Sequence, residues 1–251
     1  MKLHTNIYST TMTTQSNLNT ENDYPQAIEK WKKEVADTCD NFAKNKLFDL
    51  DLDFYVFQSS VGFAPPLLMI GANPGGQNPY TLVNETNKRQ RRTANNLGYD
   101  ANQFLVNPAW RSSSLCSLFS GDKLLPMFEN AVITNLAYFN TNKFEVLRKR
   151  KGSHEALDFC KKSNRELVNI LQPKNIILMG NISLAGMTQF FDKPMIPILK
   201  TIDGRSAMIR QTSINGIPTF WIHHPSMNKK FNTGENLGFK KSKLEEVLSY
   251  Q

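Results

Sequence analysis

The residues best placed for chemistry lie at the ends of apolar runs. Residues 65–80 read PPLLMIGANPGGQNPY, in which an unbroken apolar run at 67–70 follows two prolines and precedes Gly71, Gly75 and Gly76. Such a run reads as a strand buried on both faces, and the glycines permit a sharp turn and close approach by a ligand. Asn73 offers a carboxamide at the strand's exit, where ligands collect in open parallel sheets; Pro74 fixes one torsion beside it. The competing reading is a tight connection without a ligand. A second carboxamide, Asn135, interrupts the apolar run at 131–139 (AVITNLAYF). A buried amide needs partners for both its donor and its acceptor, so Asn135 either ties down a loop or faces a ligand with complementary edges. A third candidate cluster, His223, His224, Pro225 and Ser226, closes the last apolar run at 218–222 (PTFWI).

Several chemistries are disfavoured by composition. No Gly-Lys-Ser/Thr follows the glycine turn and no Gly-x-Gly-x-x-Gly spacing occurs, so neither phosphate-loop nor dinucleotide fingerprints are present. Cys39, Cys116 and Cys160 are widely spaced and odd in number, which suits reduced thiols rather than a zinc or iron–sulfur site. Only His4, His154, His223 and His224 could add imidazole ligands, and adjacent rings rarely chelate one ion. No metal and no cofactor are therefore expected. The formal net charge of +8 points to a polyanionic partner. Basic runs at 88–92 (KRQRR), 148–151 (RKRK), 161–162, 229–230 and 240–243 (KKSK) form either solvated faces or a phosphate track.

The elements that must position these groups follow from periodicity. Residues 1–24 are polar, without an apolar face, and are expected to form a flexible arm; 25–251 are expected to form one domain. Ile28, Trp31, Val35, Cys39 and Phe42 recur at helical spacing behind Pro25. The aromatic run at 54–57 (FYVF) suggests an edge strand or a strand leading into the first buried one. Residues 77–107 form a long polar segment rich in Asn, Gln and Arg, from functional selection or from base composition alike. Residues 131–139 predict a second inner strand, 155–171 an amphipathic helix closed by Pro173, and 176–179 (IILM) a third buried strand. A loop-rich portion with Pro194, Pro197, Gly204 and Gly216 precedes the final strand, and 245–248 belong to a closing helix. This alternation predicts an α/β fold, a three-layer αβα sandwich around a mainly parallel sheet.

Three short stretches in this order carry a family resemblance. Gly71-Ala72-Asn73-Pro74-Gly75 after the first inner strand, Thr134-Asn135 on the middle one and His224-Pro225-Ser226 after the last resemble the motifs of the uracil-DNA glycosylase superfamily. The first is most similar to the single-strand-selective monofunctional and mismatch-specific branches, with their Gly-x-Asn-Pro-Gly motif. The resemblance implies a uracil-DNA glycosylase-like fold and a monofunctional glycosylase that hydrolyses the N-glycosidic bond of uracil or a modified pyrimidine flipped out of DNA. Water is then the second substrate, and an abasic site the product.

The same resemblance assigns roles. Asn73 would orient the attacking water, although a carboxamide is no general base of the strength an Asp supplies. His224, as a neutral imidazole, would donate to the base O2 as negative charge develops there, in the manner of an oxyanion hole; a strand-end His satisfied by a loop carbonyl is the alternative. Asn135 would read the base edge, within a pocket bounded by Gly71, Ala72 and Gly75. Tyr80, Phe104 and Trp110 are candidates for stacking on the base, with Tyr80 nearest the first motif. Ser226, Met227, Asn228, Lys229, Lys230, Arg91 and Arg92 would contact DNA, and Met227, Asn228 or Phe231 could fill the gap left by the flipped nucleotide.

Two other functions compete. The same chemistry could act on a bulky phage-modified base such as glucosylated hydroxymethylcytosine, since sugar hydroxyls need the many partners that an Asn/Arg-rich insertion supplies. A catalytically silent nucleic-acid-binding module would keep the fold and the basic face but needs none of Asn73, Asn135 and His224. No segment is long and apolar enough to span a bilayer and no leader pattern opens the chain, so a cytoplasmic monomer is expected.

Overall fold

The unbroken apolar runs become strands buried on both faces. The computed structural model describes residues 21–45, 47–76, 92–108, 113–225 and 229–248. In it β1 (Leu68–Gly71), β2 (Val132–Asn135) and β3 (Ile176–Met179) are buried at every position. They pair in parallel, Leu68 lying beside both Val132 and Ile176, and β3 continues in parallel into β6 (Ile217–Ile222). β4 (Ile196–Lys200) and β5 (Ala207–Ile214) extend the sheet antiparallel, giving the order β2-β1-β3-β6-β5-β4.

Alternate side chains of these strands feed two cores. Leu68, Ile70, Val132, Ile176 and Leu178 join one cluster with Trp31 and Val35 of helix α1 (Tyr24–Lys44). Leu67, Met69, Ile133, Ile177 and Met179 join the other, with Leu115, Phe128 and Leu244. Each fully buried aliphatic side chain contributes about 1.5–3 kcal/mol relative to exposure. Helices thus cover both faces of a mostly parallel sheet, an arrangement compatible with the expected three-layer sandwich.

α1 buries the spaced face read from its sequence, with Pro25 in the first turn. Trp31 Nε1 donates to Ser163 O at 3.1 Å, tying α1 to the long helix between β2 and β3. The short helices α2 (Gln103–Val106), α3 (Ser114–Leu118), α4 (Leu124–Glu129) and α5 (Phe144–Arg148) lie in the connections. That long helix, α6 (Ser153–Leu171), ends at left-handed Gln172 before Pro173. α7 (Gly180–Met187) leaves β3, while α8 (Lys229–Asn232) and α9 (Gly234–Leu248) follow β6. Among the described residues no helix is long and apolar enough to cross a membrane. The expected arm falls largely on residues 1–20, outside the described residues, as do 77–91 of the long polar segment.

Three expectations are corrected. The 54–57 run is no strand: Phe54 and Phe57 make only isolated bridges, because successive N–H groups serve different neighbours, Tyr55 bonding Tyr138 O and Val56 bonding Leu97 O. The strand at 131–139 is shorter and lies at the sheet's edge. Its burial comes from residues 56–59, where Thr134 Oγ1 donates to Val56 O and Ile133 N donates to Ser59 Oγ. The portion around Pro197 holds β4 and β5 rather than loops; Pro197 is tolerated because β4 is the other edge, and Asn215-Gly216, both at positive φ, make the tight turn into β6. Residues 245–248 do belong to a closing helix, which starts at Gly234. Its buried face, Lys240, Leu244 and Leu248, includes a lysine, which hid the apolar periodicity.

Candidate active site

The exits of β1 and β2 are stitched together by main-chain hydrogen bonds. Leu136 N donates to Gly71 O (2.8 Å), Ala137 N to Ala72 O (3.0 Å) and Thr141 N to Pro74 O (3.2 Å). A side chain at position 71 would force a shift, because a Cβ there would lie 2.7 Å from Asn135 Oδ1. Asn135 is buried, its Oδ1 packed on Gly71 and its Nδ2 without a hydrogen-bond partner among the described residues. Leaving a buried donor unsatisfied costs about 1–3 kcal/mol, a deficit that an acceptor on a ligand would remove. Asn164 of α6 fixes the backbone here, its Nδ2 donating to Asn135 O and Leu136 O.

Asn73 is held in one orientation. Its Nδ2 donates to Pro74 O (2.9 Å), Thr141 O (2.7 Å) and Thr141 Oγ1 (3.0 Å). Two of these partners are carbonyl oxygens, which only accept, so the amide nitrogen must face them and Oδ1 must face away. No described residue donates to that oxygen. It is an acceptor set for a water or a ligand donor.

His224 reaches the same cavity from β6. Gly180, at φ 85° where β3 passes into α7, lets the two exits approach: a Cβ there would sit 3.2 Å from His224 Cβ. Burial lowers the pKa of His224, so the imidazole is neutral at neutral pH. Its carbonyl accepts from Asn232 Nδ2 at 3.1 Å. The neighbouring His223 has a different task. Its Nε2 lies 3.0 Å from Ala207 O, which makes Nε2 the protonated nitrogen, and its ring stacks on Phe231 with centroids 3.9 Å apart. Burial lowers its pKa as well, with Lys240 and Arg210 acting in the same direction.

A cavity of about 710 Å³ opens between these exits. Ala72, Asn73 and Gly75 form one side, and Met179, Gly180, Asn181 and His224 another. Thr141, Asn142, Lys143 and Glu145 add polar groups to a wall that also holds Phe144 and Ile182. Of the expected site residues, Ala72, Asn73, Gly75 and His224 meet here, while Gly71 and Asn135 lie beside it without lining it. Sequence reasoning missed Thr141, Asn142, Lys143, Glu145 and Asn181. Two signals were available: the polar Asn-Thr-Asn at 140–142 directly after an apolar strand, and Asn181 at the carboxyl end of β3.

The expected DNA contacts are distributed otherwise. Tyr80, Arg91, Trp110, Ser226, Met227 and Asn228, and the side chain of Lys229, lie outside the described residues. Lys230 is exposed, 3.9 Å from Asp203. Arg92 does not present a free guanidinium to a partner: it binds Asp53 through Nε (3.1 Å) and Nη2 (2.9 Å), and lies 3.8 Å over the Tyr55 ring. Phe104 packs against Phe128 in the core rather than at the cavity. Phe231, considered as a gap filler, is engaged with His223. Among the described residues no group of three or more His, Cys, Asp or Glu is arranged to hold a metal ion. Neither a scan against protein-family models nor a search of curated proteins returned a match to this chain.

Proposed function

We propose that this chain is a DNA glycosylase of the uracil-DNA glycosylase type, hydrolysing the N-glycosidic bond of a pyrimidine flipped out of DNA and leaving an abasic site. The observation that carries the reading is the pairing, across one cavity at the carboxyl ends of parallel strands, of an acceptor-only Asn73 Oδ1 with a neutral His224. Breaking the bond builds positive charge on the sugar and negative charge on the base. Asn73 Oδ1 accepts a hydrogen bond from water and aims its lone pair at C1′. His224 donates an N–H to the base oxygen that gains charge, which a neutral ring can do. Asn135 Nδ2, buried and without a partner among the described residues, reaches a base carbonyl only once its carboxamide turns toward the adjoining cavity. With no strong base in these roles, turnover is slow and rests on positioning.

A second reading keeps the chemistry and enlarges the substrate. The cavity far exceeds the volume of a pyrimidine ring, and Thr141, Asn142, Lys143, Glu145 and Asn181 line it together with Asn73 and His224. This volume, with polar groups set among Phe144, Met179 and Ile182, leaves room for a bulky modified base carrying hydroxyl groups, such as glucosylated hydroxymethylcytosine.

The test is incubation with matched DNAs containing uracil, hydroxymethylcytosine or its glucosylated form, followed by alkaline cleavage of abasic sites, with N73A and H224A as controls. Release from uracil DNA alone supports the first reading, and release only from glucosylated DNA the second. DNA binding without release from any substrate would leave a silent binding module.

A further inference from the structure

The last helix carries a lysine where a core residue belongs. Lys240 is fully buried and shares the inward face of α9 with Leu244 and Leu248. Its Nζ donates to Asn232 Oδ1 at 2.5 Å, and Asn232, itself buried, donates from Nδ2 to His224 O at 3.1 Å. The direction of this chain is chemically determined. An ammonium only donates, so Asn232 must turn its oxygen toward Lys240 and its nitrogen toward the His224 carbonyl.

Burial of a cation is costly unless it is compensated, and among the described residues no carboxylate pairs with Lys240. Burial lowers its pKa to about 8, so at neutral pH the amine is still mostly charged. An apolar side chain at this position would pack against Leu244 without that cost. What lysine provides instead is a charge-assisted bond to an amide whose other end grips the main chain of a cavity residue. On the opposite side, Gly180 closes on His224 Cβ.

We propose that Lys240 and Asn232 are positioning residues that brace the main chain of His224, and so aim its imidazole into the cavity. The catalytic consequence rests on the glycosylase reading; the brace itself does not. Lys240 touches no substrate and does not line the cavity. Its hydrogen-bonded link to the cavity passes through Asn232 to the His224 carbonyl, and its charge also helps lower the pKa of the neighbouring His223.

The experiment compares the full chain with K240M and N232D. K240M keeps an unbranched side chain one atom shorter and removes the donor. N232D keeps an acceptor for Lys240 but replaces the donor to His224 O with an oxygen, and it stands in should K240M fold poorly. Two readouts are taken: backbone hydrogen exchange at Ile222, His223 and His224 against β1 and β3, and single-turnover base release with DNA affinity measured separately. Both variants should exchange about tenfold faster at the His224 segment alone, the effect of losing one hydrogen bond. On whichever DNA the wild type acts, release should slow about tenfold or more while affinity changes less than about twofold. Unchanged exchange at His224, or an equal increase across the sheet, overturns the brace. Faster local exchange with unaltered release by an active enzyme overturns the positioning role. If the wild type releases no base from any DNA, the glycosylase reading fails on its own, and exchange still decides the brace.

Discussion

Asn73 Nδ2 lies 2.7 Å from Thr141 O and 3.0 Å from Thr141 Oγ1, so a residue just past β2 sets the orientation of an amide just past β1. The two strands are parallel neighbours with Gly71 in register with Asn135, and their exit loops leave side by side. One contact therefore joins loops far apart in the chain and decides which atom of Asn73 faces the cavity.

Replacing Asn73 by Asp tests that orientation. A carboxylate would point an acceptor at two carbonyl oxygens, taking the Asn73 donor from Thr141 O and leaving Pro74 O with Thr141 N alone, at a cost of about 1–3 kcal/mol. N73D should lower the melting temperature more than N73A does, and it should not raise activity simply by adding a stronger base. N73A should retain the fold and lose about a hundredfold in single-turnover release, because the water is no longer aimed. Thermal melting and rapid-quench assays on both variants read these outcomes.

Gly71→Ala tests the packing of Asn135. The added methyl meets Asn135 Oδ1 at 2.7 Å in the absence of relaxation, so the carboxamide or the β1 exit must move. We expect a loss of about 1–3 kcal/mol in urea unfolding, with reduced base release. Wild-type stability and activity in G71A would show that Asn135 moves aside freely and has no fixed part in recognition.

Arg92 separates structural from DNA-facing basic residues. Asp53 is buried and Arg92 is its bidentate partner, so R92A strands a buried carboxylate and should cost about 3–5 kcal/mol. The double change R92A/D53N should recover much of that loss. If R92A instead leaves stability intact while weakening DNA binding and its salt dependence, the ion pair is not holding the structure.

Lys240 makes stability depend on pH on the alkaline side. Its pKa falls from 10.5 when unfolded to about 8 when folded, so between these values the unfolded chain binds more protons and stability rises with pH. The gain is complete above the unfolded value, shrinks as pH falls toward 8, and is absent below. Cys39 and Tyr138, whose pKa values burial raises, lose stability as pH rises and oppose this trend. The difference between wild type and K240M cancels them. That difference should change by up to about 3 kcal/mol across the window. His223 and His224, both shifted downward, should cost stability as pH falls below their unfolded value of 6.5.

What the sequence by itself determined was local. The runs LLMI and IILM read as buried strands because unbroken apolar stretches of that length have no exposed side to mark with polar residues, and PTFWI read as the final strand. The spacing of Ile28, Trp31, Val35 and Cys39 read as a helix because one face of a 3.6-residue period must be buried. Candidate residues at strand exits followed from the geometry of parallel sheets, and Asn73 and His224 do share a cavity. Tertiary structure alone decided the rest. β2 looked central because burial says nothing of which neighbours supply it, and a segment that forms no strand covers its edge. Thr141 and Asn181 became site residues only when separate exits were brought to one end of the sheet. Arg92 left the basic surface for Asp53, and Lys240 entered the core, because a charge in sequence carries no record of its partner. Periodicity is written along the chain, but the partner of a polar group is chosen in space.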